Sequence, residues 1–441
     1  MNRVLVVVAL GLLLCCYSND ADAQSRRERR REEKRREAIR NYYKNNPQLQ
    51  NRQGTKATDK TTAKPKAVAP KKEFDFPETE MKDRYRIDVL APLYLAELVQ
   101  DGKTVNKGRL PDKVQNTLKF YEGMLIAADT LKKLGYKLDV FVYDVADELE
   151  SPLTLVNTDA FAGSDLILGL LSSSDFPTIA NYSRKHHVNF VSALSPSTQG
   201  IENNPYFTLL QPTLETHCGA VEEFLHRKHG NISPVMLYRS RVTVDSIAYG
   251  YFTADNTFQY KPVLCDTIPS REQLMPLLHK DSKNVFVMPI LSDKYAESIL
   301  SNLYKWFPDY DFEVWGMPSW DNMASLKKAD AYPNIVVYFT SPFYFDHTTA
   351  SGRVVADAYK AKYGTRADNM VFRGYETMMW YAYLLKKYGN IFNTQLWDNG
   401  GAPFTRFNIK LVKDKDGQLM YNENKHLYLY RYHSSSYMVE Q

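Results

Sequence analysis

Two kinds of hydrophobic spacing alternate along the chain from residue 85 onward. Short β-branched and apolar runs predict strands: YRIDVLAPL at 85–93, LDVFVYD at 138–144, DLILGLL at 165–171 and VNFVSAL at 188–194. Between them, residues 114–135, 149–161 and 176–186 repeat their apolar positions at helical spacing, the first closing on Gly135, a natural helix terminator. A second series follows Pro212. Helices are expected over 216–229, 243–254, 271–279 and 293–307, alternating with strands PVMLYRS, FQYKPVLC, NVFVMPIL and FEVWGM. NIVVYFTSPF ends that run, two long helices follow at 351–363 and 372–388, and the tail from Thr405 reads as strands with a hairpin turn at 414–417. Strand and helix in strict alternation predict an α/β protein with parallel sheets covered on both faces. Two series of similar size, neither with a Gly-rich phosphate loop, predict two doubly wound parallel-sheet lobes joined by a hinge.

The first 82 residues have a different grammar. Arg3, an apolar run over 4–14 and the Ala21-Asp22-Ala23 site read as a cleavable export signal covering 1–23. Cys15 and Cys16 end the apolar run, but Leu14 stands where lipoprotein processing takes a small residue. The run is also too short to span a bilayer, which needs about 20 residues. Residues 24–50 form a basic charged segment in which Glu28, Glu32 and Glu33 can pair with Arg and Lys one helical turn away. It reads either as a solvated helix or spacer, or as an adhesive for an anionic polymer or lipid surface through 25–44. Residues 51–82, rich in Lys, Thr, Ala and Pro, read as a disordered linker.

Charge sharpens this division. The net charge is +5, yet residues 25–72 carry 17 Lys and Arg against 5 Asp and Glu. The folded part is therefore acidic, which argues against nucleic acid as a partner. After signal removal only Cys218 and Cys265 remain, either as one disulfide or as two buried thiols.

The order FYEGMLIAADTLKKLG, VFVYD, LILGLLSSSDFPTIA, SALSPSTQ and NPYFTLLQPTLETHCGAVEEFL, then VVADAYKAKYGTRADNMVFRGYETMMWYAYLLKKYG, resembles the type I periplasmic solute-binding family. That family includes branched-chain amino-acid-binding proteins and some receptor ectodomains. The resemblance covers roughly residues 83–432. It implies a bilobal domain over 83–441, with lobe one at about 83–211 plus 343–395 and lobe two at about 212–342 plus 396–441. Ligand would sit between the lobes at the strand ends. The function implied is a non-enzymatic envelope or periplasmic protein binding a small polar ligand (amino acid, peptide or wall fragment), as in ABC-transporter substrate binding. The alternative is a scaffold or regulator of a cell-envelope protein on the same fold, as in the activators of peptidoglycan synthases.

By resemblance, Ser172, Ser173 and Ser174 after the third strand, and Ser195, Ser197 and Thr198 after the fourth, are candidate carboxylate ligands. Hydroxyls and amides at a helix start suit an anion, although the same residues also serve as helix caps. Glu215 stands where amino-acid binders meet the ligand's ammonium group, or it favours the first helical turn. Trp320 and Asp321 lie near a further acidic position that Pro318 occupies. The aromatic expected within YRSRVTVD and the usual Gly-Pro at 169–170 are missing, departures that weaken the free-amino-acid reading. No GxSxG, HExxH or P-loop is present, so no catalytic residue, metal or cofactor is expected. His226 with His229 and His186 with His187 read as surface pairs. The tail tyrosines Tyr421, Tyr428, Tyr430, Tyr432 and Tyr437 read as one strand face.

Overall fold

A computed structural model describes residues 74, 76–100, 103–105, 110–171, 174–254, 257–328, 331–433 and 436–440. The expected signal, basic segment and most of the linker lie outside these residues, as do Ser172 and Ser173. Residues 76–105 and 110–441 form one compact unit.

In chain order, lobe one begins with β1 (Tyr85–Ala91), helix α1 (Leu95–Leu98) and a small ribbon of β2 (Val99–Gln100) and β3 (Lys103–Thr104). Then come α2 (Asp112–Lys133), β4 (Leu138–Asp144), α3 (Pro152–Asn157), β5 (Leu166–Gly169), α4 (Phe176–His186), β6 (Asn189–Ser192) and β7 (Phe207–Leu209). Lobe two holds α5 (Leu214–His229), β8 (Val235–Tyr238), α6 (Thr243–Ala254), β9 (Lys261–Leu264) and α7 (Arg271–Leu274). It continues with β10 (Asn284–Val287), α8 (Asp293–Trp306), β11 (Phe312–Trp315) and β12 (Ile335–Ser341). The chain returns to lobe one with α9 (Ala350–Tyr363), α10 (Asn369–Tyr388), β13 (Ile409–Lys413) and β14 (Leu419–Asn424). It ends in lobe two with β15 (Tyr428–His433) and β16 (Ser436–Glu440).

Each lobe carries a seven-stranded sheet, ordered β13-β14-β7-β6-β5-β1-β4 and β16-β15-β12-β11-β10-β8-β9. Pairing is parallel except where β13 meets β14, β15 meets β12 and β16 meets β15. Apolar runs without a polar face are explained by this two-sided burial. In β5, Leu166 and Leu168 enter one core and Ile167 the core on the opposite sheet face, all fully buried. The same alternation places Ile87 and Val89 of β1 on one side and Leu90 on the other.

Two expected boundaries move. The tail assigned wholly to lobe two is shared, because β13 and β14 extend the lobe-one sheet while only β15 and β16 join lobe two. Both halves of the tail are short strands mixing apolar and polar residues, so strand spacing shows that they pair but not with which lobe. The folded unit also starts before residue 83. Phe76 packs edge-on against Tyr206, Thr79 donates to Tyr388 O, and the Lys82 ammonium meets Asp165 at 2.8 Å. Cys218 and Cys265 are buried free thiols, so they act as small apolar core residues. Among the described residues no helix is long and apolar enough to cross a membrane.

Helices α2 and α10 pack backbone against backbone. Gly123 faces the carbonyl of Val371, and Gly374 faces that of Phe120, so a Cβ at either position would overlap the opposing main chain. Gly374→Ala is expected to destabilise lobe one by about 3 kcal/mol, since neither backbone can yield. Gly250→Ala in α6, where a Cβ meets nothing within 4 Å, should instead gain about 0.5–1 kcal/mol from helix propensity. Urea midpoints of the two variants test the contrast.

Candidate functional site

Three segments carry the chain between the lobes: 210–213 after β7, 342–349 after β12, and 425–427 between β14 and β15. The chain leaves lobe one from the C-terminal end of β7 and leaves lobe two from that of β12. The carboxyl ends of both parallel sheets therefore border the junction, where open α/β sheets hold ligands.

Most polar groups at those ends are already engaged. In lobe one the Asp144 carboxylate, ending β4, accepts hydrogen bonds from the main-chain N–H groups of Leu93 (2.8 Å), Tyr94 (3.0 Å), Leu95 (2.7 Å) and Ala146 (3.2 Å). Tyr94 sits at φ 57°, which turns consecutive amides toward one point. Such a nest suits an anion, and an internal carboxylate fills it. In lobe two Arg239 Nε donates to Asp245 at 2.6 Å, and the fully buried Asp245 also accepts from Leu291 N. Asp266 takes the N–H groups of Ser240 and Arg241, and the Ser240 hydroxyl.

The candidates from sequence divide accordingly. Ser174 is exposed in the turn before α4. No helix follows Ser195, Ser197 and Thr198. Their loop runs into β7, so they do not cap one. Instead Ser192 Oγ donates to Ser195 O, Ser197 N to Ser195 Oγ, and Gln199 N to Ser197 Oγ. Thr198 reaches the hydroxyl of Tyr421, whose pKa burial pushes up to about 12, with Glu423 adding to the rise. The N-cap of α5 is Thr213, which leaves Glu215 exposed in the first turn. Glu215 acts electrostatically on Tyr421 and on Tyr251 of α6. Thr198 and Glu215 thus both act on Tyr421, Thr198 by a hydrogen bond and Glu215 through its charge.

Trp320 is placed differently from the sequence expectation. Its indole is fully buried in the lobe-two core, Nε1 donates to Ile290 O at 2.8 Å, and the ring lies where any side chain at residue 316 would stand. An aromatic ring beside a strand end is more stable covering the core than facing water. Asp321, its neighbour, remains half-buried.

Sequence reading missed Arg373. Its helix, α10, shows an apolar stretch interrupted by one cation, MVFRGYETMMWYAY, and that interruption is the available signal. The guanidinium donates through Nη2 to Gln211 Oε1 (2.9 Å) and Ala193 O (3.3 Å), and lies 3.9 Å from the centre of the Phe343 ring. It therefore joins the loop after β6, the first crossover and the second crossover. Arg373 Nε is buried without a hydrogen-bond partner. Burial lowers its pKa to about 9, partly opposed by the charges of Asp321 and Glu376. No carboxylate of the described residues lies within ion-pair distance. Glu376, one turn on, is committed to Phe404 N (2.8 Å), Thr405 N (2.5 Å) and the Thr405 hydroxyl.

The histidines have structural posts. His229 Nε2 meets the buried Glu313 at 2.5 Å, His186 stacks on Tyr182 and His187 on Tyr206. Among the described residues no cluster of His, Cys, Asp or Glu could hold a metal ion.

No family model matches the chain, and no curated protein matches its sequence. Solved structures do match. A putative branched-chain amino acid ABC transporter protein from Rhodospirillum rubrum aligns with 81% of this chain and 99% of its own, at TM-score 0.56 and 11% identity. An ABC transporter substrate-binding protein from Desulfitobacterium hafniense covers 81% of this chain and 100% of its own (TM-score 0.53, 15% identity). LpoA from Haemophilus influenzae matches over 83% of this chain but 60% of its own length (TM-score 0.54, 13% identity). The chain has the type I periplasmic binding fold.

Burial raises the Glu376 carboxyl from 4.5 to about 7, against the pull of its hydrogen bonds to Thr405 and Phe404 and of the Arg373 charge. The folded state then holds this proton more tightly than the unfolded chain does. Its contribution to stability is greatest at or below pH 4.5 and declines as pH rises to 7, by on the order of 3 kcal/mol. Unfolding curves across that range should show a smaller decline in Glu376→Gln than in the parent.

Proposed function

We propose that this chain is a non-catalytic binding protein of the cell envelope whose lobes close on a small polar ligand bearing an anionic group, with Arg373 as its anchor. The observation that carries this reading is the Arg373 guanidinium, held where the two crossovers meet the β6 loop and without an ion-pair partner among the described residues. A buried cation is costly unless a counter-charge reaches it. A carboxylate or phosphate entering the junction supplies that charge in the bidentate geometry that arginine favours. Ser195, Ser197, Thr198, Glu215 and Asp321 are proposed to orient the remainder of the ligand. Closure by hinge motion fits three crossover segments of a few residues each. Two of the matched structures are an ABC transporter substrate-binding protein from D. hafniense and a putative branched-chain amino acid ABC transporter protein from R. rubrum.

The second reading is a scaffold or regulator that engages an envelope protein. It is favoured by the self-filled strand ends, where Asp144 occupies the amide nest and Trp320 covers lobe two. The likeness to LpoA is consistent with it. In either reading the basic segment 25–44 is proposed to hold the protein to an anionic polymer or lipid surface.

A thermal-shift screen of the chain against amino acids, short peptides and muropeptides separates the two readings. A ligand that binds the folded state raises the melting temperature by mass action. Under the first reading an anionic ligand produces such a shift, and Arg373→Gln weakens its binding about 10- to 100-fold, the worth of one charge-assisted contact. No shift with any ligand class contradicts the first reading and favours the second.

A further inference from the structure

A concavity of about 760 Å³ opens where α5, the third crossover and the loop before β13 meet. It takes Tyr344 from the second crossover, next to the Phe343 that Arg373 covers, but its lining shares no residue with the loops after β1, β4, β5, β6, β8, β10 or β11. Its volume falls within the range of small-molecule pockets.

Two features of its wall point to a ligand. The first is aromatic: Phe224, Tyr344, Phe404 and Tyr428 line it, the Tyr344 and Tyr428 rings 5.8 Å apart. The second is a charge left over after the local pairs are made. Arg227 pairs with Glu223 at 3.7 Å, Lys425 with Glu423 at 2.6 Å, and Glu440 lies within 4 Å of both Lys228 and Arg431. Arg406 is exposed and forms no ion pair among the described residues, while its main-chain N–H donates to the Tyr428 hydroxyl. That bond sets the arginine backbone against the aromatic wall. The adjoining residues are fixed as well, because Glu376 clamps Phe404 N and Thr405 N.

We propose that this concavity is a second binding site, for an aromatic molecule carrying a carboxylate, with Arg406 as the carboxylate's partner and the tyrosine and phenylalanine rings as its bed. A planar guanidinium matches a carboxylate bidentately, and offset or edge-on rings stabilise an aromatic body. One uncommitted cation suits a single negative charge. Because its walls come from α5 of lobe two, the 399–406 loop of lobe one and the second and third crossovers, an occupant touches both lobes and favours one angle between them.

Indole-3-acetate is the probe, titrated calorimetrically into the full chain. Saturable 1:1 binding is expected, weakened 10-fold or more in Arg406→Gln and unchanged in Arg184→Gln, an exposed arginine of lobe one. Tryptamine, the same ring with the opposite charge, should not compete. Arg406 is exposed, so an unaltered melting temperature in Arg406→Gln shows that any loss is not unfolding. The proposal is overturned by no binding at millimolar probe, by equal binding in Arg406→Gln, or by binding that Arg373→Gln abolishes, which moves the probe to the cleft. Those outcomes leave the anchoring role of Arg373 in the strand-end site to its own test.

Discussion

The close crossing of α2 and α10 at Gly123 and Gly374 is the constraint on which both sites depend. With no side chain between them, the helices meet main chain to main chain. This contact fixes the depth and rotation of α10 in lobe one. Arg373, the residue before Gly374, is thereby carried to the junction of the β6 loop with the crossovers. Glu376, two residues after it, is carried to the 404–405 amides that shape the second concavity. Any larger residue at 374 would push both away from their partners.

Around that axis the protein satisfies its strand ends with its own carboxylates. Asp144 takes four main-chain amides in lobe one, and Asp245 takes an arginine and an amide in lobe two. Glu423 accepts from Thr213 and Thr216 at the first crossover, where Lys425 balances it. Buried amides and hydroxyls left without partners would each cost about 1–3 kcal/mol, so these internal anions stabilise the fold. Arg373 departs from this pattern. Its guanidinium lies against aromatic and carbonyl groups, feels the charges of Asp321 and Glu376, and makes no ion pair within 4 Å among the described residues.

Much of the architecture was legible from hydrophobic period alone, because buried strands and amphipathic helices leave distinct spacings. The helices at 176–186 and 243–254 fall where that spacing places them. The partition of the tail was not legible. Residues 409–424 and 428–440 have the same local character, and only long-range pairing with β7 or β12 distinguishes them. The candidate site was legible in part. Resemblance pointed to loops at the strand ends, but the fates of individual side chains followed from contacts made elsewhere. Ser195 and Ser197 fold their own turn, and Trp320 turns inward because Gly316 leaves room for its ring. Arg373 stands far along the chain from every loop it touches, so only its isolation within an apolar helix could mark it.

The central claim is that Arg373 holds an anionic ligand in the junction. The most direct measurement is to denature the purified full chain and identify by mass spectrometry whatever small molecule it releases. The account predicts one polar compound bearing a carboxylate or phosphate, recovered in near-stoichiometric amount from the parent chain and absent from Arg373→Gln. Recovery of the same compound from both proteins, or of a cationic compound, would contradict it.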